Sequence, residues 1–281
     1  MEGSGAAEGE EAPDKKETPS GLGGKLHSFS GGLEELAKAM GDRLGDRVKL
    51  EAPVERIRKK GTGFEVSFRD RSALLARTVV VAIPAPRAAS LFSSWNHDLA
   101  NALEEIPYVP VAVVCLGFLR ANVGHPLDGF GFLAPRNQGL RTLGVIWASS
   151  IFPQHAPEGS VSLRAMVGGA LDPEVVGCTS DELCALVLRE VGPLLDLRGE
   201  PVARKVYRYP QGIPQYNVGH SKRLRRLEGW LKDLPGLFLA GNAYHGVGIN
   251  DCVLEGGRIA REAGKILGQE REEERAGTKE K

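Results

Sequence analysis

The stretch of this chain best suited to chemistry runs from Leu237 to Ile266, LFLAGNAYHGVGINDCVLEGGRIAREAGKI. A short apolar strand ends in Gly241-Asn242, a glycine loop follows, and a helix opens at Asn250-Asp251. Unpaired N–H groups and the positive end of the helix dipole converge at such a junction, which suits an electron-rich ligand edge. Gly256-Gly257 inside the helix cost helix stability and point to a close backbone contact. The same pattern also describes an ordinary tight strand-to-helix turn with an N-cap, and the glycines alone leave both readings open. Elsewhere no acid/base pair, metal-ligand cluster or Ser/His/Asp arrangement stands out. Of the six histidines His245 is nearest the loop, with no role assigned to it. Cys115, Cys178, Cys184 and Cys252 lack the C-x-x-C spacing and read as reduced core thiols of a cytosolic protein.

The elements around this segment alternate between helical and strand periods. Leu33, Leu36, Ala37, Met40 and Leu44 recur at helical spacing behind Ser30 and two glycines, which predicts an amphipathic helix. Val48–Leu50, Val54–Ile57 and Phe64–Phe68 alternate as strands, and Thr78–Ile83 reads as a strand buried on both faces. Val109–Phe118, Leu143–Ala148 and Val161–Val167 predict strands of one sheet, and Asp181–Leu195 predicts a helix. Residues 2–20 have too little apolar surface to offset their ordering entropy and are expected to be disordered. The charged tail from Gly268 is expected to be a fraying helix end.

Composition excludes some function classes. Lys plus Arg and Asp plus Glu both total 36, so nothing global favours nucleic acid or an anionic membrane. Val109–Phe118, the longest apolar run, is too short to span a bilayer, and the amino terminus has no secretory pattern. Arg204, Lys205, Arg208, Lys222, Arg223, Arg225 and Arg226 form an acid-free basic stretch. Leu224, Leu227 and Leu231 give it a buried helical stripe, so the basic residues read as that helix's solvated face rather than as a nucleic-acid or membrane patch.

GNAYHGVGINDC, residues 241–252, resembles the flavin-contacting end of protoporphyrinogen oxidases, within the amine-oxidase-like flavoproteins. Phe29–Leu33, Asp128–Leu133, Val167–Ala170 and Gly212–His220 match the same family in the same order. The resemblance implies an α/β (α+β) fold: an incomplete FAD-binding domain of the amine-oxidase type around an inserted mixed-sheet substrate domain. Its parts would be a linker at 1–24, FAD-domain residues 25–90, a substrate domain at 91–210, FAD-domain residues 211–267 and a tail at 268–281. The implied activity is FAD-dependent oxidation of protoporphyrinogen IX to protoporphyrin IX in heme biosynthesis, with hydride passing to the flavin. Molecular oxygen is the implied electron acceptor. Val54 would meet the adenine, Tyr209 would lie near the isoalloxazine ring, and Val247, Gly248 and Ile249 would hold its pyrimidine edge. Leu133 and Ile146 match the aliphatic pair that sandwiches a tetrapyrrole ring, and Met166 stands where many relatives carry an aromatic residue. Without the resemblance these three residues read as core.

The family's phosphate-binding G-x-G-x-x-G is not found. The five G-x-G triplets, at Gly3, Gly21, Gly61, Gly129 and Gly246, carry Glu8, Leu26, Val66, Ala134 and Asp251 where the third glycine belongs. The expectation is therefore a carboxyl-terminal portion that is weak or inactive alone, cytoplasmic or peripheral on a membrane, with a homodimer possible and no nucleic-acid partner. Coproporphyrinogen III is the alternative substrate. A different amine or carotenoid oxidase fits the motifs less well, and a non-catalytic porphyrin-binding module is the reading from another class.

Overall fold

The computed structural model describes residues 26–277 of the chain, with side chains placed through residue 268. The linker expected over 1–24 lies outside the described residues. In chain order the first elements are helix α1 (Glu34–Leu44) and strands β1 (Val54–Lys60), β2 (Gly63–Phe68), β3 (Leu74–Ala76) and β4 (Val79–Val81). Helices α2 (Ala85–Phe92) and α3 (His97–Glu104) follow, then strands β5 (Tyr108–Leu119), β6 (Gly131–Leu133) and β7 (Thr142–Trp147). Short helix α4 (Ala148–Ile151), strand β8 (Ser160–Gly168), helix α5 (Ser180–Leu195) and strand β9 (Ala203–Pro214) come next. Helix α6 (His220–Lys232), strand β10 (Leu237–Leu239) and helix α7 (Ile249–Gly277) complete the chain. Among the described residues, no helix is long and apolar enough to cross a membrane.

Two buried cores divide these elements. The first gathers Ile57 and Phe64 from the antiparallel β1-β2-β3 sheet, most of the inner faces of α2 and α3, and Leu227, Leu237, Leu239 and Tyr244. Ala85, Ala88 and Ala89 of α2 are fully buried, small enough to let neighbouring elements approach closely. Asn96 caps α3 by accepting from the Leu99 N–H at 3.0 Å. The second core lies under the five-stranded antiparallel sheet, ordered β6-β7-β8-β5-β9. There the strand period of two does the sorting. Ala112, Val114, Leu116 and Phe118 of β5 and Val161, Leu163, Ala165 and Val167 of β8 are buried, and they pack with Leu183, Leu186, Val187 and Val191 of α5. Helix α5 starts with a reciprocal capping box between Thr179 and Glu182. The cores part between Ile106 and Ala112, so the 90/91 boundary read from sequence falls inside α2 and the 210/211 boundary inside β9.

Several sequence expectations are corrected. Helix α1 forms, but it buries no residue, because no described element lies against its apolar stripe. Val48–Leu50 is not a strand: no strand is there to pair with it, and Leu50 is 79% exposed. The run Thr78–Ile83 yields only β4, paired in parallel with β10, and Val80 is 47% exposed instead of buried on both faces. Gly236 sets this pairing: it turns at φ +93°, and a Cβ there would stand 2.6 Å from the Arg77 carbonyl oxygen. The basic stretch is likewise not one helix face. Arg204, Lys205 and Arg208 belong to β9, and on α6 Arg226 meets Glu105 at 2.8 Å.

The two faces of β8 should respond differently to truncation. Leu163 is 1% exposed, whereas Met166 on the opposite face is half-buried. Leu163→Ala should cost about 2–5 kcal/mol and Met166→Ala no more than about 1 kcal/mol in urea unfolding. Equal losses would mean that the second face is packed as tightly as the first.

Candidate functional site

Directly opposed residues of an antiparallel pair share a face, so the register of the five-stranded sheet defines what its unpacked side presents. Leu133 stands opposite Gly144, Gly144 opposite Met166, Met166 opposite Val113, and Val113 opposite Tyr207. The next row is Gly131, Ile146, Arg164, Cys115 and Lys205. On the other side of the first row, Tyr209 stands opposite Val111. Leu133, Ile146, Met166 and Tyr209, singled out separately in the sequence, therefore lie together on the face turned away from α5. They are also accessible, which corrects the reading of the aliphatic residues as core: Leu133 is 79% exposed and Ile146 38%.

Strand β9 leads from this face to the glycine loop. Two residues beyond its end, the Tyr216 hydroxyl donates to the Asn242 carbonyl at 2.8 Å and accepts from the Gly246 N–H at 3.0 Å. Burial pushes the Tyr216 phenol upward, keeping it protonated and able to donate. Its ring stacks on His220 with centroids 4.1 Å apart, and burial, with Arg223 and His245 nearby, lowers the pKa of His220. The motifs 212–220 and 241–252 are thus one physical unit. Sequence reasoning assigns Tyr216 no role, and its place within the 212–220 motif is the signal that could have found it.

The loop is shaped for an acceptor-rich ligand. Gly246 turns at φ +139°, and a Cβ there would collide with the Asp251 carboxylate. Asp251 Oδ2 accepts from the Gly248 N–H at 3.1 Å, and α7 begins one residue earlier than the expected Asn250. Among the described residues, the N–H groups of Val247, Ile249 and Asn250 have no acceptor within the chain. They open at the positive end of α7, where the carbonyl oxygens of a planar heterocycle would be received. Val247 and Ile249 are both more than half exposed beside them. Val54 opens β1 in the three-stranded sheet and packs half-buried on the first core.

A cleft of about 810 Å³ lies between α6, β10 and α7, lined by Leu227, Leu231, Leu237, His245, Glu255 and Arg258. Arg258 pairs with both Glu255 and Glu262, so its charge is already satisfied there. The shallow sheet face, and not this cleft, holds the residues picked out for substrate. No group of His, Cys, Asp or Glu able to hold a metal ion occurs among the described residues.

The comparisons with known proteins agree with this architecture. Residues 10–263 match the family described as flavin containing amine oxidoreductase, and the chain belongs to that family. More particularly, it is 34% identical over 271 residues to the chloroplastic protoporphyrinogen oxidase of Nicotiana tabacum, covering 91% of this chain and 49% of that one. It is 30% identical to the coproporphyrinogen III oxidase of Bacillus subtilis, covering 86% of this chain and 53% of that one. The crystal structure of a candidate protoporphyrinogen oxidase from Exiguobacterium sp. 255-15 superposes with a TM-score of 0.72 at 28% identity, covering 87% of this chain and 52% of that one. The chain spans about half the length of the curated relatives it matches.

Tyr216→Phe removes both hydrogen bonds to the loop while keeping the ring. Each such bond is worth about 1 kcal/mol net, so flavin affinity should fall by about tenfold or more, and the melting temperature should drop by about 4–8 °C. Unchanged affinity in a flavin titration would remove Tyr216 from the site.

Proposed function

We propose that this chain supplies the substrate face and one flavin-contacting loop of an FAD-dependent oxidase that converts protoporphyrinogen IX to protoporphyrin IX. The observation that carries the reading is the union of an accessible apolar sheet face, bearing Leu133, Ile146, Met166 and Tyr209, with a glycine loop held by Tyr216 at the end of the same β9 strand. A flat, greasy macrocycle suits such a face, since each Å² of apolar surface removed from water contributes about 25 cal/mol.

Bound FAD would supply the chemistry by accepting a hydride from the substrate, with molecular oxygen as the final acceptor. The residues of this chain have the other tasks. The N–H groups of Val247, Ile249 and Asn250 would orient the pyrimidine edge, and Tyr216 keeps their loop in place. Leu133, Ile146 and Met166 hold the macrocycle by apolar contact and exclude water from one side of it. The oxidase is read as cytoplasmic, peripheral on a membrane where its greasy substrate partitions, and as a candidate homodimer. Coproporphyrinogen III is the second reading, supported by the relative from Bacillus subtilis.

No G-x-G-x-x-G turn is present in the sequence to take the dinucleotide's phosphates. The purified chain should therefore hold FAD weakly by itself. Co-expressed with the amino-terminal half of the tobacco enzyme, it should show flavin absorption bands and generate porphyrin fluorescence from protoporphyrinogen IX. Absence of flavin from both preparations would overturn the oxidase reading.

A further inference from the structure

We propose that Arg164 and Lys205 form a carboxylate-binding pair on the open sheet face. It would take the propionate groups of the tetrapyrrole and turn the opposite, apolar edge toward Tyr209 and the glycine loop. The inference rests on the porphyrinogen reading and adds to it an orientation and a basis for substrate choice.

Register places the pair. Lys205 is opposite Cys115, Cys115 opposite Arg164, and Arg164 opposite Ile146, so both cations project from the face that carries the apolar patch. Neighbouring strands are about 4.8 Å apart, so the two cations are rooted about 10 Å from each other with only Cys115 between them. Two long side chains rooted that close converge on one or two carboxylates. Along β9, Lys205 is four residues from Tyr209, or about 14 Å at a strand's rise per residue. The face is thus graded from an aromatic end, through Met166 and Val113, to a cationic end.

The other basic residues of β9 are already engaged. Arg204, on the α5 side, meets Asp181 at 3.4 Å. Arg208, on the same side, donates to the carbonyls of Val176 and Cys178 at 3.0 and 2.6 Å. Arg164 and Lys205 are exposed and, among the described residues, have neither an ion pair nor a side-chain hydrogen bond. No acidic residue occurs in their row or in the adjacent Tyr207 row. The field at this end is felt locally: burial raises the Cys115 thiol while Arg164 pulls it back down, and burial together with Arg164 lowers His155. Arg164 can take a carboxylate with two parallel N–H donors, and Lys205 adds a point charge beside it. Each contact matters more once an apolar ring covers the face and excludes water.

The test is a fluorescence titration of the full chain with coproporphyrin III and with its tetramethyl ester, in one detergent-containing buffer. The unaltered chain should bind the acid at least about tenfold more tightly than the ester, the factor that 1.4 kcal/mol represents. Arg164→Gln and Lys205→Gln should each abolish most of that preference, Arg164→Lys should retain much of it, and ester binding should stay constant throughout. Variants that bind the acid as well as the unaltered chain would overturn the pair. So would parallel loss of acid and ester with an unchanged circular dichroism spectrum, since that would mark a packing role. If the unaltered chain binds neither probe, the porphyrinogen reading itself fails and the pair falls with it.

Discussion

A β-sheet distributes its side chains alternately to two faces, and a fold must either cover each face or use it. In the five-stranded sheet of this protein, one face is buried: Leu163, Ala165 and Val167 share a core with Leu183, Val187 and Val191 of α5 and with Val123, Leu127 and Val175. The other face keeps Leu133, Ile146 and Tyr209 accessible. That asymmetry underlies the candidate site. It brings residues from five strands into one plane, and it separates the engaged cations of β9 from Lys205 without moving the backbone.

The second constraint is the joint between the sheet and the glycine loop. β9 belongs to the sheet, yet its continuation through Pro214 and Gln215 delivers Tyr216 to the carbonyl of Asn242 and the N–H of Gly246. One phenol therefore sets the loop of the first core relative to the face of the second. Held this way, the loop keeps its outward N–H groups in order before any ligand arrives, which reduces the ordering cost of binding.

Legibility from sequence followed the local strength of each signal. β5 was readable from its long Val-rich apolar run, β7 from the short apolar run Val145-Ile146-Trp147, β8 from the alternation of Val161, Leu163, Ala165 and Val167, and α5 because its apolar spacing is regular. β9 was missed: Pro210 and Pro214 within ARKVYRYPQGIP argue against a strand, and proline is tolerated there because β9 is the last strand of the sheet. The apolar stripe of α1 and the run Thr78–Ile83 were legible as patterns, but burial depends on partners, and the described residues offer α1 none and β4 only β10. The glycine loop was found from its glycines and the resemblance. The tie through Tyr216 and the cationic row were not, because cross-strand register and long-range hydrogen bonds are set by tertiary structure and not by local pattern.

The proposed function requires a tetrapyrrole to lie on the open face of the five-stranded sheet. The most direct measurement is methyl NMR of the full chain with and without coproporphyrin III, because a macrocycle's ring current shifts any methyl group lying over it. The chain has only three methionines, Met1, Met40 and Met166, so the relevant signal is readily assigned. A large shift at the Met166 and Ile146 methyls, with Leu163 and Val145 on the α5 side unmoved, is the expected result. Binding that leaves Met166 and Ile146 unshifted would place the porphyrin elsewhere and overturn the assignment of this face to the substrate.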